Sequence, residues 1–541
     1  MDRINDKLEE LYNFWFSNSD IWFNINHKID EIIYNKYAEC YLKYEIEENM
    51  EEIIKDRKMG ISVILLCDQI IRHIVRYDKN LIIFEIPRED ILEEYNKKAI
   101  EISKIIYKRY DEEITDEEYC FVMLPYRHNG SYRNIKYVLE ETWKKIENGS
   151  SEIIRRFLNA TYNRYLIKND DEENIKIYDR YEREYNKSKY DRVLDKRCLE
   201  FKINNGYDID EIKEEFKDKL KYEKENKIIL SISGGVDSMI CSYILRKLEI
   251  DFVCVHINYN NRKESELEEE FIIDWCSYIN IPLYIRKIEE INRPKSMKYG
   301  FRNLYEDYTR NIRYNTYKQV SRMIKNNKCY VILGHNKDDC FENILTNITN
   351  KNKYENLFGM ENITIIDNII FMRPMLNINK SEIYEIANNL DINYLCDSTP
   401  EWSQRGKIRD KVRPVLEEWN NKSIEGFFEL KKIMEDSNKL IEELIEVISS
   451  NIEIVDKNIR IKFNRGKIII NRIFWEKILK KYNIKYSVRG IDGYIERIKN
   501  ISDNYDKIHI NHINSYQMNK NYIVNITKRK DNILEILFNF I

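Results

Sequence analysis

The chain has 541 residues, with 89 Lys and Arg against 93 Asp and Glu, for a net charge of −4. At about 100–200 residues per domain this length predicts about three domains, and 43 % hydrophobic with 34 % charged residues is a globular balance. No stretch approaches the ~18–20 uncharged apolar residues of a membrane helix. The opening MDRINDKLEE lacks the apolar core and cleavage site of a secretory signal and is too acidic for a transit peptide. The cysteines stand at 40, 67, 120, 198, 241, 254, 276, 329, 340 and 396, and none forms a C-x-x-C pair. That argues against a zinc ribbon or a thioredoxin-type site, and reduced thiols in the cytoplasm are the expectation.

Residues 1–167 read as an all-helical domain, with apolar residues at helical spacing through Ile61–Ile74. Residues 168–226 are dense in charge (NDDEEN, EEFKDKLKYEKEN) and read as a solvated helical linker. From Lys227 the pattern changes. Candidate strands Lys227–Ser231, Phe252–Ile257, Leu283–Ile288, Tyr330–Gly334 and Ile369–Met372 alternate with candidate helices near 237–249, 264–279, 303–326, 338–349 and 380–390. This predicts an α/β Rossmann-like domain over 227–420, with a parallel sheet covered on both faces. Residues 421–541 start with a helical stretch (424–450) and end in a small mixed α/β module. Residues 451–541 carry 18 Lys and Arg against 9 Asp and Glu, interleaved with Tyr, Phe and Trp. That composition fits contact with a phosphate backbone.

The sharpest local signal is Ser233-Gly234-Gly235-Val236-Asp237-Ser238, between a candidate strand and a candidate helix. Two glycines let the backbone approach an anion, the turn's N–H groups form a nest, and the helix N-terminus adds partial positive charge. Ser233 and Ser238 supply hydroxyl donors, and Asp237 supplies an oxygen ligand suited to Mg²⁺. No Lys follows the glycines, so this is not a Walker-type loop. It matches the S-G-G-x-D-S loop of the PP-loop ATP pyrophosphatases, which cut ATP between its α and β phosphates.

Further tracts follow in order: His256-x-x-Tyr259-x-x-Arg262-x-Glu264-Ser265-x-x-Glu268, Tyr305-Glu306-x-x-x-Arg310-x-x-Arg313-Tyr314, and Gly334-His335-Asn336-Lys337-Asp338-Asp339-x-x-Glu342-Asn343. Then come Arg373-Pro374-Met375-Leu376, Lys380-Ser381-Glu382-Ile383, Asp397-Ser398-Thr399-Pro400, and Arg405-Gly406-Lys407-Ile408-Arg409 with Pro414 beyond. Over about 227–420, with a looser echo to 541, the set resembles the tRNA(Ile)-lysidine synthetase family. It departs from the family pattern at Asn343, Pro400 and Gly406, where a Thr and two Asn are usual.

The resemblance implies that ATP adenylates the wobble cytidine of an isoleucine tRNA and that the amine of free lysine then displaces AMP. Loop residues 233–238 would hold the phosphates and Mg²⁺, with Arg310 and Arg313 reaching phosphate or ribose, and His335 would contact the nucleotide or the base. Asp338, Asp339 and Glu342 would form an acidic pocket that attracts the lysine ammonium and takes its proton, although helix capping would account for one of the three. Arg405 and Arg409 would clamp a carboxylate. Other readings are a PP-loop tRNA thiolase, a GMP- or NAD-synthetase-like ligase, and a non-catalytic tRNA- or partner-binding scaffold. A thiolase calls for clustered cysteines, whereas Cys340 and Cys396 read as isolated, buried apolar residues.

A second resemblance covers most of 10–165. Phe14-Trp15-Phe16, Trp22-Phe23, Asp30-x-x-Ile33, Leu65-Leu66-Cys67-Asp68-Gln69-x-x-Arg72-His73-x-x-Arg76, Met123-Leu124-Pro125-Tyr126-x-His128 and Arg156-Phe157 are similar to the TPR-like domain-of-unknown-function family 924. Arg72, Arg76 and His128 either line a pocket or join a buried Asp–Arg network that ties helices together. A partner for this region is expected but not specified.

Overall fold

The computed structural model describes residues 2–22, 26–38, 50–78, 88–149, 151–168, 174–179, 190, 208–352, 354–396, 403–449, 452–455, 458–464, 468–519, 521–530 and 533–540. The Asp397–Pro400 tract and most of 168–226 lie outside them. The chain forms two compact units, Met1–Gly334 with Ile363–Pro374 and Ile383–Cys396, and His335–Asn362 with Met375–Glu382 and Asp397–Ile541.

The first unit opens with α1 (Asp2–Ser17), α2 (His27–Tyr37), α3 (Arg57–Leu65), α4 (Ile71–Tyr77), α5 (Arg88–Tyr110), α6 (Asp116–Asn129), α7 (Tyr132–Glu147) and α8 (Glu152–Lys168). A π-helical turn, Leu66–Ile70, joins α3 to α4. Trp15, fully buried, packs edge-on to Phe121 at 5.5 Å. Thr115 and Glu118 form a capping box at the start of α6. The buried Glu118 carboxylate is also paired with Arg57 and Tyr12, which compensates its desolvation.

These helices share one core with the sheet that follows. The Tyr162 hydroxyl donates to the Glu290 carbonyl at 2.9 Å, and the Trp143 ring lies 5.4 Å from Phe301. Arg155 stacks over Phe301 at 4.2 Å and donates to the Tyr299 carbonyl at 2.8 Å.

The sheet has seven strands: β1 (Ile175–Tyr178), β2 (Ile228–Ser231), β3 (Phe252–Asn258), β4 (Leu283–Lys287), β5 (Cys329–Ile332), β6 (Ile363–Ile366) and β7 (Ile369–Met372). Their order is β1-β4-β3-β2-β5-β7-β6. The five central strands are parallel, and β1 and β6 are antiparallel edges. All of β3 and most of β2 are buried, as covered parallel strands require. α9 (Val236–Lys247), α10 (Ser265–Tyr278) and α11 (Arg302–Met323) are the crossover helices of this unit. The five predicted strands are the five parallel ones. The linker reading is corrected at 175–178: there Ile175 and Ile177 alternate with polar residues and add an edge strand to β4.

In the second unit, α12 (Lys337–Thr349) opens directly after Gly334-His335-Asn336. A short helix Gln404–Lys407 runs through a π turn, Ile408–Val412, into α13 (Arg413–Trp419), and α14 (Ser423–Ser449) follows. The C-terminal module is an antiparallel sheet in the order β10-β11-β12-β9-β8, from β8 (Ile452–Val455), β9 (Asn458–Asn464), β10 (Ile513–Asn519), β11 (Tyr522–Lys528) and β12 (Ile533–Phe540). It packs on α15 (Arg472–Lys481) and α16 (Val488–Asp503). Trp475 is fully buried among Phe463, Phe474, Tyr494 and Phe538. The large aromatics interleaved with Lys and Arg therefore build this core. Several of the basic side chains pair locally: Arg472 with Asp492 at 2.7 Å, Arg529 with Glu535 at 2.6 Å and Lys462 with Glu453 at 2.7 Å. Among the described residues, no helix is long and apolar enough to cross a membrane.

Candidate functional site

The sheet changes direction between β2 and β5, since successive strands leave β2 on one side and return on the other. In open α/β sheets, ligands bind at that switch point beyond the carboxyl ends of the strands. The Ser233–Ser238 loop lies there, between β2 and α9. Gly234 adopts φ +80°, a left-handed backbone that favours glycine. Its carbonyl accepts from the Leu395 N–H at 2.8 Å, and a Cβ would lie 2.3 Å from Leu395 Cδ1. Ser238 Oγ donates to the Gly235 carbonyl at 2.9 Å and accepts from Ser233 N–H at 3.2 Å, which closes the loop on itself. Gly334, after β5, abuts the Asp237 backbone so closely that a Cβ would sit 3.1 Å from it. The loop residues 233–238 are thus gathered on one turn, with the first N–H groups of α9 lacking intrahelical acceptors.

His256, at the end of β3, is buried, and its Nδ1 contacts the Ile232 carbonyl at 3.0 Å. A carbonyl only accepts, so the Nδ1–H tautomer is fixed; burial holds this imidazole below its ordinary pKa. It anchors the strand immediately before the loop. Arg310 and Arg313 part company on α11. Arg310 is exposed and paired with Asp307. Arg313 is half-buried against Tyr314, 5.6 Å from its ring, with its Nε buried and unbonded. Tyr317, one turn on, donates to Ser231 Oγ at 2.7 Å, and burial pushes its hydroxyl up to about 12.

In the second unit, Asn336 caps α12. Its side chain accepts from Asp339 N–H at 3.1 Å, while Asp339 accepts from Asn336 N–H at 3.2 Å. Capping therefore employs Asp339 of the three carboxylates. Asp338 pairs with Arg413. Glu342 meets Arg409 at 2.9 Å and has Arg405 3.9 Å away, and Arg405 stands 4.0 Å from Asp339. Glu342 is 2 % exposed, and its Oε2 has no hydrogen-bond partner. Burial raises its pKa, with Arg409 pulling the other way. Each of the three carboxylates thus faces a guanidinium, and Arg413 also meets Glu417 at 2.8 Å, so this is an ion-pair network rather than the open acidic pocket expected. Arg413 escaped the sequence reading, although 405, 409 and 413 share one spacing. His335 is half-buried immediately before the cap.

Cys340 lies buried with Ile344 and Leu376, as expected, but Cys396 is exposed, which corrects its reading as a buried residue. The loop's residues fit a nucleotide triphosphate: glycine where backbone must approach, two hydroxyls and a helix N-terminus. For Mg²⁺ the fit rests on Asp237. Among the described residues no cluster of three His, Cys, Asp or Glu can hold a metal, so the ion would be held by this carboxylate with substrate phosphates and water, its usual mode.

Residues 209–416 match the PP-loop domain family, and residues 11–184 match a family described as a bacterial protein of unknown function (DUF924). The chain is similar to tRNA(Ile)-lysidine synthases. The one from Malacoplasma penetrans is 28 % identical over 38 % of this chain and 66 % of its own, and the one from Chlamydia muridarum 31 % over 37 % and 61 %. The match spans about half of the Streptococcus pyogenes enzyme, at 48 %. Among solved structures, the U34-tRNA thiolase NcsA from Methanococcus maripaludis is 18 % identical over 42 % of this chain and 79 % of that one, with a TM-score of 0.35, too low to bear on function.

Proposed function

We propose that this chain is an AMP-forming ligase that modifies tRNA, joining lysine to the wobble cytidine of an isoleucine tRNA in the cytoplasm. The observation that carries the reading is the nucleotide loop: left-handed Gly234 pinned by Leu395, two serine hydroxyls, and Gly334 against Asp237, all at the switch point of the sheet. The similarity to lysidine synthases supports lysine as the acceptor and a tRNA as the substrate. The catalytic segment is 227–420, residues 421–541 contact tRNA, and 1–167 form a TPR-like region that packs on the sheet.

The loop's N–H groups and the Ser233 and Ser238 hydroxyls hold the triphosphate in line for attack on the α-phosphorus. Asp237 would hold Mg²⁺, which when bound would supply charge to offset the departing pyrophosphate. Arg313 offers its unbonded Nε to phosphate or ribose, and Arg310 would have to leave Asp307 to join it. His335 contacts the nucleotide or base.

Glu342 is the proton acceptor for the lysine amine. Burial raises its pKa toward the working range of a general base, and its Oε2 is unbonded. Because each carboxylate already faces an arginine, an incoming amino acid must exchange partners. Its ammonium replaces an arginine at Glu342 or Asp339, and its carboxylate takes that arginine. Arg405, 52 % exposed and held at no less than 3.9 Å, is the one most easily drawn away, with Arg409 remaining on Glu342.

The test is mass spectrometry of tRNA incubated with the protein, ATP, Mg²⁺ and lysine, alongside pyrophosphate release. The expected result is a lysine added at one cytidine. Release that requires tRNA but is indifferent to lysine overturns the acceptor, and no change in any tRNA pool overturns the reading.

A further inference from the structure

Besides Glu118, the helical region buries the carboxylates of Asp30 and Asp68, whose partners are already in place, and holds two arginines, Arg127 and Arg164, with no ion pair or hydrogen bond among the described residues. Asp30 is contacted by His73 Nδ1 at 2.6 Å and Arg76 at 2.8 Å. Asp68, 1 % exposed on the π-helical turn, is contacted by His128 Nδ1 at 2.8 Å, Arg72 at 3.3 Å, Asn96 at 3.4 Å, and Gln69. π turns inside helices are frequent at functional sites.

Arg127 directly precedes the Asp68-bound His128 in the last turn of α6 and lies over Phe157 of α8, and Arg164 stands about two turns further along α8. Neither has an ion pair or hydrogen bond among the described residues; Arg127 rests 4.9 Å over the Phe157 ring, and Arg164 Nε is buried and unbonded. Both side chains are recessed rather than extended into solvent. Burial disfavours the Arg127 cation, Cys120 and the Asp68 carboxylate favour it, and the nearby Arg164 charge disfavours it. Arginine does not discharge in proteins, and the single carboxylate of Asp68 already serves Arg72 and His128, so two further guanidiniums call for another counter-anion. The carbonyl end of α6 offsets part of the cost but cannot saturate two guanidinium forks.

We propose that Arg127 and Arg164, with Arg72 and His128 beside them, form a binding site for a small oxyanion, the carboxylate or phosphate group of a metabolite-sized ligand. Asp68 orients Arg72 and His128, and the two unpaired forks bind the oxygens. This site is independent of the ligase reading and needs neither ATP nor tRNA.

Calorimetric titration of the full chain with inorganic phosphate and with succinate, at constant ionic strength, tests it and separates the two sources. Saturable binding of either is expected. Arg127→Gln and Arg164→Gln should each weaken it roughly tenfold to a hundredfold, the range for a lost charge-assisted hydrogen bond, with circular dichroism unchanged. Arg127→Lys, which keeps charge but loses the fork, should fall between. If Arg127→Gln does not fold, Arg164→Gln carries the comparison. Absence of saturable binding by both probes at millimolar concentration, or equal binding by wild type and the Arg164→Gln variant, overturns the proposal. So does displacement of phosphate by a short oligoribonucleotide with a steep salt dependence, which would assign the arginines to RNA.

Discussion

Removing Arg409 tests the acid–arginine cluster through its pH dependence. Glu342 is 2 % exposed and accepts from Arg409 at 2.9 and 3.0 Å, with Arg405 at 3.9 Å and Asp339 adding a like charge. Burial already raises the Glu342 pKa, and Arg409 is the foremost opposing influence. An opposite charge at this range moves a carboxyl by about 1–3 units. At about 1.4 kcal/mol per unit, losing Arg409 costs roughly 1.4–4 kcal/mol once Glu342 must ionise. A folded-state pKa above the unfolded one gives stability that is fully present below the unfolded pKa and lost as pH rises through the folded one. Arg409→Ala raises the folded value further, so its penalty against wild type should be small near pH 5 and grow toward pH 8. Thermal unfolding at both pH values measures this, and Glu342→Gln should abolish the pH dependence of the Arg409→Ala penalty. An equal penalty at both pH values, or one that survives Glu342→Gln, would refute the argument.

Gly234→Ala forces an L-residue into the left-handed region at about 1–2 kcal/mol, so KM for ATP should rise about 5- to 30-fold in a pyrophosphate-release assay. Asp237→Ala should abolish tRNA-dependent pyrophosphate release, and wild-type turnover would remove its metal role. Burial alone would raise Asp68, yet His128 and Arg72 hold it at about 2 against an ordinary 3.8. That depression contributes about 2 kcal/mol, present above the ordinary value and lost as pH falls through the folded one; melting curves should show Asp68→Asn less stable at pH 7, with the gap narrowing below about pH 4. Deleting residues 1–168 should make the remainder insoluble, because it uncovers Phe301 and Tyr308; a soluble, cooperatively melting truncation would count against the shared core.

What the sequence made legible was whatever burial writes as pattern. The five parallel strands are continuous apolar runs because both faces are covered, and the loop at 233–238 stands out because close approach to an anion demands glycine. The edge strands were hidden: β1 alternates within a charged tract, and β6 is half exposed. Arg413 lies one turn beyond the Arg405–Arg409 tract, and the proline after it is tolerated because α13 begins there. That capping occupies one of the three carboxylates was legible, and only the Asn336 geometry assigns it to Asp339. The unpaired state of Arg127 and Arg164 had no signal, since sequence does not reveal which charges lack partners.

The strut between the helical region and the nucleotide loop is α11. Near its start, Phe301 packs on Trp143, and the Tyr308 ring lies 5.0 Å from Tyr162 of α8. Two to three turns later, Tyr314 packs 5.2 Å from Phe371 of β7, and Tyr317 holds the Ser231 hydroxyl at the end of β2. One helix thus spends its first half as core for the N-terminal helices and its second half as a brace for the strand that feeds the loop. Residues 168–226 read in sequence as a solvated helical linker, but one apolar cluster holds residues from both sides of it, and Ile175–Tyr178 is itself a strand of the sheet. Helical region and sheet are held by the same buried rings. A substitution in α8 that shifts Tyr162 should therefore be felt at Ser231, through Tyr308 and the helix that carries it.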